Sequence, residues 1–314
     1  MNYEYLFGPV PSRRLGVSLG VDLVQKKTCN LDCVYCECGR TEKTTCERKS
    51  YVNKEKVIAE LKHFLSEGSY LDFITFSGWG EPTLNSDIGE IIDEIKKITD
   101  IKIAVITNGT TLWDNKVREA LLKADVVMPS LDAVSNEIFQ KINRPDKEVD
   151  ITKVIDGIVE FSKLYKGELK LEIFVIDGIN NSSDEIAKFR EVIFKIAPSV
   201  VQINSLDRPA AEDWVKKAET DILEEFKEKL GYEKSEIISK YKSRENIKNY
   251  TQKYEELILN MIEKRPCTIE DISEVTGIKK AEINKYIDVL EKEKKVKTIL
   301  GERGVFVRKE MNQI

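Results

Sequence analysis

The run Cys29-Asn-Leu-Asp-Cys33-Val-Tyr-Cys36 places three thiols in a C-x3-C-x2-C spacing, just after a short apolar segment. Because so short a loop keeps its thiolates from diverging, all three can face one soft metal centre. A structural zinc ion requires a fourth ligand, which Cys38 or Cys46 can supply. An iron–sulfur cubane held by three thiolates instead keeps one iron open to another ligand. The cysteines alone leave both alternatives open.

Composition narrows the class of protein. The 314 residues are 41% hydrophobic, which is enough for one large domain and a small one. A net charge of −5 argues against a protein that coats nucleic acid non-specifically. No apolar run approaches the roughly 20 residues that span a bilayer, and the N-terminus lacks a signal-peptide pattern, so we expect a cytoplasmic protein with no membrane partner. In that reducing compartment, clustered cysteines indicate metal or redox chemistry rather than disulfides.

Between residue 16 and residue 204, short β-branched runs alternate with amphipathic helical patterns. The predicted strands are 17–23, 73–77, 101–107, 126–130, 169–176 and 200–204, and the predicted helices are 54–66, 88–98, 115–123, 151–165 and 184–196. Near-continuous apolar strands separated by helices predict a parallel sheet buried on both faces. Six such units make an α/β fold of the partial (β/α)6 TIM-type barrel class, whose active site collects at the carboxyl ends of the strands.

The pattern changes after residue 204, and we expect three regions: a barrel over 1–215, a helical connector over 216–250 and a small unit over 251–314. In that last unit, Thr268 and Asp271 form a capping-box signal and Gly277 makes a turn. A hairpin is expected around residues 301–304. Helix, helix–turn–helix and hairpin together resemble a winged-helix domain.

Polar clusters follow three predicted strands. They are Ser77-Gly-Trp-Gly-Glu81 after the second, Thr107-Asn-Gly after the third and Ser130-Leu-Asp132 at the end of the fourth. The glycines allow close backbone approach to a ligand, although Gly, Pro and Asn are also ordinary turn residues. Ser130 and Asp132 face the same side of an extended chain, and Asp132 can equally cap a helix.

The C-x3-C-x2-C motif with Tyr35 before its last cysteine resembles the signature of the radical S-adenosylmethionine (radical SAM) enzymes. Residues 7–16, FGPVPSRRLG, resemble a subgroup grouped loosely with wyosine-synthase-like proteins, and the similarity covers roughly the first two-thirds of the chain. Wyosine synthase itself carries additional N-terminal cysteines, whereas this chain has none before Cys29, so the resemblance does not extend to that activity. The resemblance implies two cofactors: a [4Fe-4S] cluster on Cys29, Cys33 and Cys36, and S-adenosylmethionine.

The resemblance also implies which residues lie near the second cofactor. Those expected to bind it are Tyr35, Ser77, Gly78, Gly80, Glu81, Thr107, Asn108, Ser130, Asp132 and Gly178. The segment from Ser77 to Glu81 is expected at the methionine amino group, and the backbone around Gly178 at the adenine. The residues expected to bind substrate or the cofactor carboxylate are Arg13, Arg14, Gln202, Asn204 and Arg208, because Arg offers a bidentate fork and Gln202 and Asn204 share one strand face.

The implied function is reductive cleavage of S-adenosylmethionine and hydrogen abstraction from an unidentified substrate: an RNA base, a peptide or protein side chain, or a small molecule. The winged helix favours a macromolecule, RNA or a peptide or protein. The implied partner is a low-potential electron donor of the flavodoxin or ferredoxin type. The alternative is a zinc-stabilised winged-helix regulator that binds nucleic acid without catalysis. Its candidate contacts are Lys279, Lys280, Lys285 and Arg303, which acidic residues on the same unit offset. His63 is predicted to be an ordinary helix-surface or helix-packing residue, and Cys267 a small buried hydrophobe.

Overall fold

The fold is that of a computed structural model, which describes residues 3–24, 26–68, 70–238, 254–263, 265–278 and 280–310. Within these ranges the strands are β1 Leu6–Ser12, β2 Gly16–Val21, β3 Phe73–Phe76, β4 Lys102–Thr107, β5 Val126–Pro129, β6 Glu168–Phe174, β7 Val200–Asn204, β8 Ser235–Ile237, β9 Cys267–Thr268, β10 Val296–Gly301 and β11 Gly304–Lys309. The helices are α1 Lys54–Ser66, α2 Ile88–Ile98, α3 Asn115–Leu121, α4 Asn136–Ile142, α5 Ile151–Leu164, α6 Ser183–Ile196, α7 Thr220–Leu230, α8 Tyr254–Ile262, α9 Ile269–Thr276 and α10 Lys280–Lys292, with a 3-10 turn at Pro82–Leu84.

The main sheet confirms the predicted α/β fold. In the described residues it has eight strands in the order β1 to β8, and β2 through β8 run parallel. The six predicted strands are β2 to β7. Strand order that follows chain order, with helices between the strands, is what a partial barrel requires.

Both faces of this sheet are buried, as the apolar strand pattern predicted. Ile103, Val105 and Val127 belong to a core shared with the helices. The alternate residues Ala104 and Met128 lie on the opposite, inner face with Leu15 and other apolar side chains. Because the two faces are packed, the polar side chains are left at the strand ends.

Two strands of this sheet were not predicted. β1 pairs antiparallel with β2 and carries the FGPVPS run. β8 lies within the range predicted as a helical connector, where it follows α7 and pairs parallel with β7. The rest of that connector, 239–250, lies outside the described residues.

The C-terminal unit consists of α8, α9, α10 and a three-stranded antiparallel sheet in the order β10-β11-β9. The predicted capping box of Thr268 and Asp271 is present, and Gly277 ends α9 in a left-handed conformation. The predicted hairpin joins β10 to β11. The apolar core of this unit includes Val10, so the unit packs against β1 of the main sheet. Among the described helices, none is long and apolar enough to cross a membrane.

Candidate functional site

The cysteine loop lies between β2 and α1 and is held against the end of α4. Asp32 donates its backbone N–H to the carbonyl of Asn143 at 3.0 Å, and Val34 donates to Ile142 at 2.9 Å. Leu31 forms a β-bridge with Pro145. These contacts bring the loop across the carboxyl ends of the parallel strands, where the polar clusters are.

One cavity of about 180 Å³ lies beneath this loop. The predicted metal and cofactor residues that line it are Cys29, Cys33, Tyr35, Ser77, Gly78, Gly80, Glu81, Thr107, Asn108, Ser130 and Asp132. Its apolar lining includes Phe139, Ile151 and Val154, which lets the cavity exclude water around a bound molecule. Gly178 does not line it: this residue is exposed, and its N–H donates to Asn181 at 2.8 Å.

Each of the three predicted cysteine ligands has a nitrogen donor beside its sulfur. Asn108 Nδ2 is 3.6 Å from Cys29 Sγ, Asn143 Nδ2 is 3.4 Å from Cys33 Sγ, and Lys27 Nζ is 3.7 Å from Cys36 Sγ. Asn143 and Lys27 were missed from the sequence. Lys27 stands two residues before Cys29, which is a usable signal, whereas nothing in the sequence connects Asn143 with Cys33.

The electrostatic surroundings of the three thiols differ. Burial, followed by the charge of Glu81, raises the pKa of Cys29 to about 12, and burial also raises the pKa of Cys33. A hydrogen bond with Cys38, followed by the charge of Lys27, lowers the pKa of Cys36 to about 6 despite its burial. A metal centre held by Cys29 and Cys33 would therefore have to displace protons.

The buried carboxylate of Glu81 connects the ends of β3 and β4. Its oxygens accept from Thr83 N at 3.1 Å, Thr83 Oγ1 at 2.5 Å, Thr107 Oγ1 at 2.6 Å and Asn108 N at 2.7 Å. Burial raises the pKa of this carboxyl. With four protein donors on two oxygens, Glu81 is placed to orient the strand ends, while the backbone from Ser77 to Gly80 faces the cavity.

The buried carboxylate of Asp132 orients the cysteine loop. Its carboxylate accepts from the hydroxyl of Tyr35, from Asn143 Nδ2 at 2.9 Å and from Phe174 N at 2.9 Å. The ring of Tyr35 stacks on Phe174 with centroids 4.0 Å apart. Asp132 therefore fixes the aromatic residue of the cysteine motif against β6.

Gly80 marks the closest approach between the two predicted cofactor segments. The N–H of Glu81 donates to the carbonyl of Thr28 at 2.9 Å, and a Cβ on Gly80 would lie 1.8 Å from that same oxygen. Gly78 has φ +148°, a conformation that L side chains rarely adopt. Gly80 thus allows the loop after β3 to pass directly against the residue preceding Cys29, and Gly78 allows it to pass against the carboxylate of Asp22.

Gly80→Ala is expected to push Thr28 away and destabilise the protein by about 1–3 kcal/mol, because backbone atoms cannot yield as a flexible side chain can. The iron content of the Gly80→Ala variant after anaerobic reconstitution is also expected to fall. The control is Gly178→Ala, which carries the strain of alanine at φ +71°, about 1–2 kcal/mol, but places no atom within 4 Å of the added Cβ and lies away from Cys29. Thermal unfolding and iron analysis of both variants check this, and equal behaviour of the two would contradict the close approach.

None of the five predicted substrate residues lines the cavity. On the inner sheet face, Arg14 pairs with Glu172, and Gln202 Nε2 donates to Glu236 at 2.8 Å. Asn204 accepts from the N–H of Ser205 at 3.0 Å.

Arg13 and Arg208 instead lie where the C-terminal unit meets the sheet. Arg13 pairs with Asp207 at 3.7 Å, and Arg208 pairs with Glu37 at 3.0 Å and Asp271 at 3.8 Å. The five predicted substrate residues therefore lie in two separate places, the inner face of the sheet and the junction with the C-terminal unit.

The remaining cysteines and the histidine have separate surroundings. Cys38 donates to the carbonyl of Gly78 at 3.4 Å, and Cys46 is half-buried. Cys267 is fully buried in the C-terminal core, as predicted. His63 is exposed on α1, also as predicted, with its Nδ1 2.9 Å from the hydroxyl of Tyr3. Among the residues that the structure describes, no three His, Cys, Asp or Glu side chains converge on a single-ion site.

The donor set fits the two cofactors that the sequence implied. Soft thiol ligands at C-x3-C-x2-C spacing suit an iron–sulfur cluster. Beside them, Gly78 and Gly80 line the cavity without side chains, which leaves main-chain groups within reach of a small polar molecule.

Comparisons with known proteins agree with this fit. The model of the radical SAM superfamily matches residues 26–190. The chain is 34% identical over 275 residues to a UPF0026 protein from Methanocaldococcus jannaschii, covering 86% of this chain and 85% of that protein. It is 38% identical over 269 residues to a protein named GTPase Obg from Brachyspira hyodysenteriae, covering 85% of this chain but only 40% of that protein. In fold, it resembles a radical SAM methyltransferase from Sphaerobacter thermophilus, with a TM-score of 0.53 and 15% identity over 70% of this chain and 66% of that one.

Proposed function

The chain belongs to the radical SAM superfamily, and from this premise we propose that it cleaves S-adenosylmethionine reductively and abstracts a hydrogen atom from a polypeptide or RNA substrate. Enzymes of this superfamily use a [4Fe-4S] cluster together with S-adenosylmethionine. The observation that carries the proposal is the cavity shared by Cys29, Cys33 and the polar ends of β3, β4 and β5.

When bound, the cluster and S-adenosylmethionine supply a carbon-centred radical that removes hydrogen atoms; the protein positions the reactants and excludes water. Cys29, Cys33 and Cys36 would hold the cluster. The backbone between Ser77 and Gly80 would hold the methionine end of S-adenosylmethionine, and Ser130 would lie near its ribose. A low-potential electron donor of the flavodoxin or ferredoxin type would reduce the cluster.

The C-terminal unit supports a polypeptide substrate more than an RNA. Arg303, the arginine expected in the wing of a winged helix, is 10% exposed and pairs with Asp207 and Asp271. At the tip of the β10–β11 hairpin, Leu300 and Val305 are cross-strand partners and are 83% and 38% exposed. Exposed apolar residues suit contact with protein better than contact with phosphate. Lys279 lies outside the described residues, as does the side chain of Lys285.

The zinc-stabilised regulator is not favoured as an alternative. The superfamily match spans the cysteines and β3 through β6 together, and the cysteine loop lies over a cavity rather than at the surface of the C-terminal unit. A regulator would need neither the cavity nor its position at the strand ends.

The test measures 5′-deoxyadenosine formed by the anaerobically reconstituted protein with reductant, S-adenosylmethionine and extract from a strain that lacks the gene. We expect stimulation by extract that nuclease leaves intact and protease abolishes, with the protease inhibited before the assay. Loss on nuclease treatment would indicate RNA, and survival of both treatments a small molecule. The proposed reaction is wrong if no 5′-deoxyadenosine forms under any condition and a Cys33→Ala variant behaves like the parent.

A further inference from the structure

We propose that Asn108, Asn143 and Lys27 are positioning residues that give each cysteine sulfur of the cluster one hydrogen bond and thereby raise the reduction potential of the cluster. The inference rests on the proposed function, since it concerns a cluster held by Cys29, Cys33 and Cys36. It assigns a role to three side chains that the cysteine motif does not contain.

The orientation of Asn108 follows from its neighbours. Its Oδ1 accepts from Thr110 N at 3.0 Å and from Thr110 Oγ1 at 2.6 Å, and its own N–H donates to Glu81. With the carbonyl end of the amide so occupied, Nδ2 points the other way, 2.8 Å from Asn30 Oδ1 and 3.6 Å from Cys29 Sγ. These partners settle the usual ambiguity between amide oxygen and nitrogen.

Asn143 is oriented by a carboxylate. Its Nδ2 lies 2.9 Å from Asp132 Oδ2 and 3.4 Å from Cys33 Sγ. Because an ionised carboxylate only accepts hydrogen bonds, the amide must turn its nitrogen towards both groups. The carboxylate–amide–sulfur arrangement resembles the carboxylate–histidine–metal pairs that orient ligands in other metal sites.

The other end of the Asn143 amide points to a role beyond stability. Asn143 is 3% exposed, and its Oδ1 finds no hydrogen-bond partner among the described residues. A buried unpaired carbonyl costs roughly 1–3 kcal/mol, so what retains the asparagine is its amide nitrogen. That nitrogen donates to Asp132 and lies beside Cys33.

Lys27 supplies the third donor and the only positive charge of the set. Its Nζ contacts the carbonyl of Gly39 and lies 3.7 Å from Cys36 Sγ. Lys27 has φ +58°, an uncommon conformation for a residue with a side chain. The ammonium is therefore held over the last cysteine by the carbonyl of Gly39, on the short turn that follows Cys36.

The effect on the cluster follows from charge. Hydrogen bonds and a positive charge at the thiolate sulfurs stabilise the reduced, more negative state of a cluster and raise its potential. The buried carboxyls of Glu81 and Asp132 contact Asn108 and Asn143, respectively. In ionised form their negative charge lowers the reduction potential of the cluster. The amide nitrogen of Asn143 contacts both Asp132 and Cys33, whereas Asn108 contacts Glu81 through its backbone N–H and Cys29 through its amide nitrogen.

The test is a redox titration of the full-length, reconstituted protein, followed by electron paramagnetic resonance of the reduced cluster. Asn108→Leu, Asn143→Leu and Lys27→Met are each expected to shift the midpoint potential to more negative values at near-parental iron content. The matched control is Asn180→Leu. Asn180 is fully buried, and its Nδ2 donates to the carbonyls of Asp132 and Phe174 instead of to a sulfur. The midpoint potential of the Asn180→Leu variant is expected to match that of the parent even if the stability of the variant is lower.

Unchanged potentials in variants that carry a full cluster would overturn the inference, as would an equal shift in the Asn180→Leu control. If a variant at one of the asparagines fails to fold, the midpoint potential of Lys27→Met tests the inference, because Lys27 is only half-buried. Failure of the parent protein to assemble any cluster would instead overturn the proposed function, and the inference with it. The two failures are therefore distinguishable before any variant is examined.

Discussion

Cys33→Ala is expected to remove iron binding and 5′-deoxyadenosine formation together. Cys33 belongs to the cysteine loop, is half-buried, lines the cavity and accepts a hydrogen bond from Asn143. Loss of an outer-sphere partner costs a metal site up to about 100-fold in affinity or activity, so loss of one of three direct ligands should exceed that. Iron analysis, the visible absorption of the reconstituted protein and the 5′-deoxyadenosine assay measure the effect.

Cys33 is a better choice than Cys36 for this experiment. Cys38 is hydrogen-bonded to Cys36, and a neighbouring thiol is able to replace a missing ligand. Apart from the other two cysteines of the motif, the polar groups near Cys33 include the hydroxyl of Tyr35, the amide of Asn143 and the carboxylate of Asp132, none of which is a soft ligand.

Cys46→Ala and Cys267→Ala are the controls. Cys46 is half-buried, and Cys267 packs in the C-terminal core, so both variants are expected to keep iron and activity. Iron loss in Cys46→Ala would revive the alternative in which this cysteine is a fourth ligand. Full iron content and activity in Cys33→Ala would contradict the proposed cluster site itself.

The strands of the barrel could be predicted because burial on both faces gives each one a near-continuous apolar run. β1 could not be predicted in that way, since Leu6–Ser12 contains Pro9 and Pro11. A proline is tolerated there because β1 is the end strand of its sheet, where one row of backbone groups needs no partner strand. β8 has only three residues, too few for a period to emerge.

The location of the site was predictable for a similar reason: polar residues that follow buried parallel strands meet at one edge. Their partners were not predictable. Glu81 and Asp132 were expected to face a cofactor, yet each carboxylate accepts several hydrogen bonds from the protein. Asn143 reaches Cys33 across 110 positions of sequence. Such contacts depend on how α4 packs against the cysteine loop, which no local pattern encodes.

Arg208→Met is expected to destabilise the protein by about 2–3 kcal/mol at neutral pH, because it removes the guanidinium that pairs with the partly buried Glu37 and the buried Asp271, and a hydrogen bond to a charged group contributes roughly 1.5–3 kcal/mol. The guanidinium of Arg208 is 6% exposed and joins Glu37 of the cysteine loop to Asp271 of the C-terminal unit. Methionine keeps most of the side-chain volume, so the loss reflects charge rather than a cavity. Chemical denaturation measures the free energy of unfolding, and iron content reports on the loop, since Glu37 directly follows Cys36.

The pH dependence identifies the cause. Burial alone would raise the pKa of Glu37, but Arg208, followed by Arg265 and Arg13, outweighs burial and lowers this pKa to about 2. A depressed folded-state pKa stabilises the protein above the unfolded value, roughly 4.3, and this contribution is lost as the pH falls towards 2. The difference in the free energy of unfolding between the parent and Arg208→Met should therefore be largest at pH 7. It should become smaller below about pH 4, as Glu37 becomes protonated.

The control for Arg208 is Lys217→Met. Lys217 pairs with Glu302 of the C-terminal unit at 2.8 Å, but both side chains are largely exposed. An exposed pair contributes about 0–1 kcal/mol, so this variant should unfold almost like the parent at every pH. If both variants lost an equally small free energy of unfolding, the apolar packing around Val10 would be what holds the cysteine loop and the C-terminal unit together. A large, pH-dependent loss confined to Arg208→Met would make the C-terminal unit a structural support of the cysteine loop.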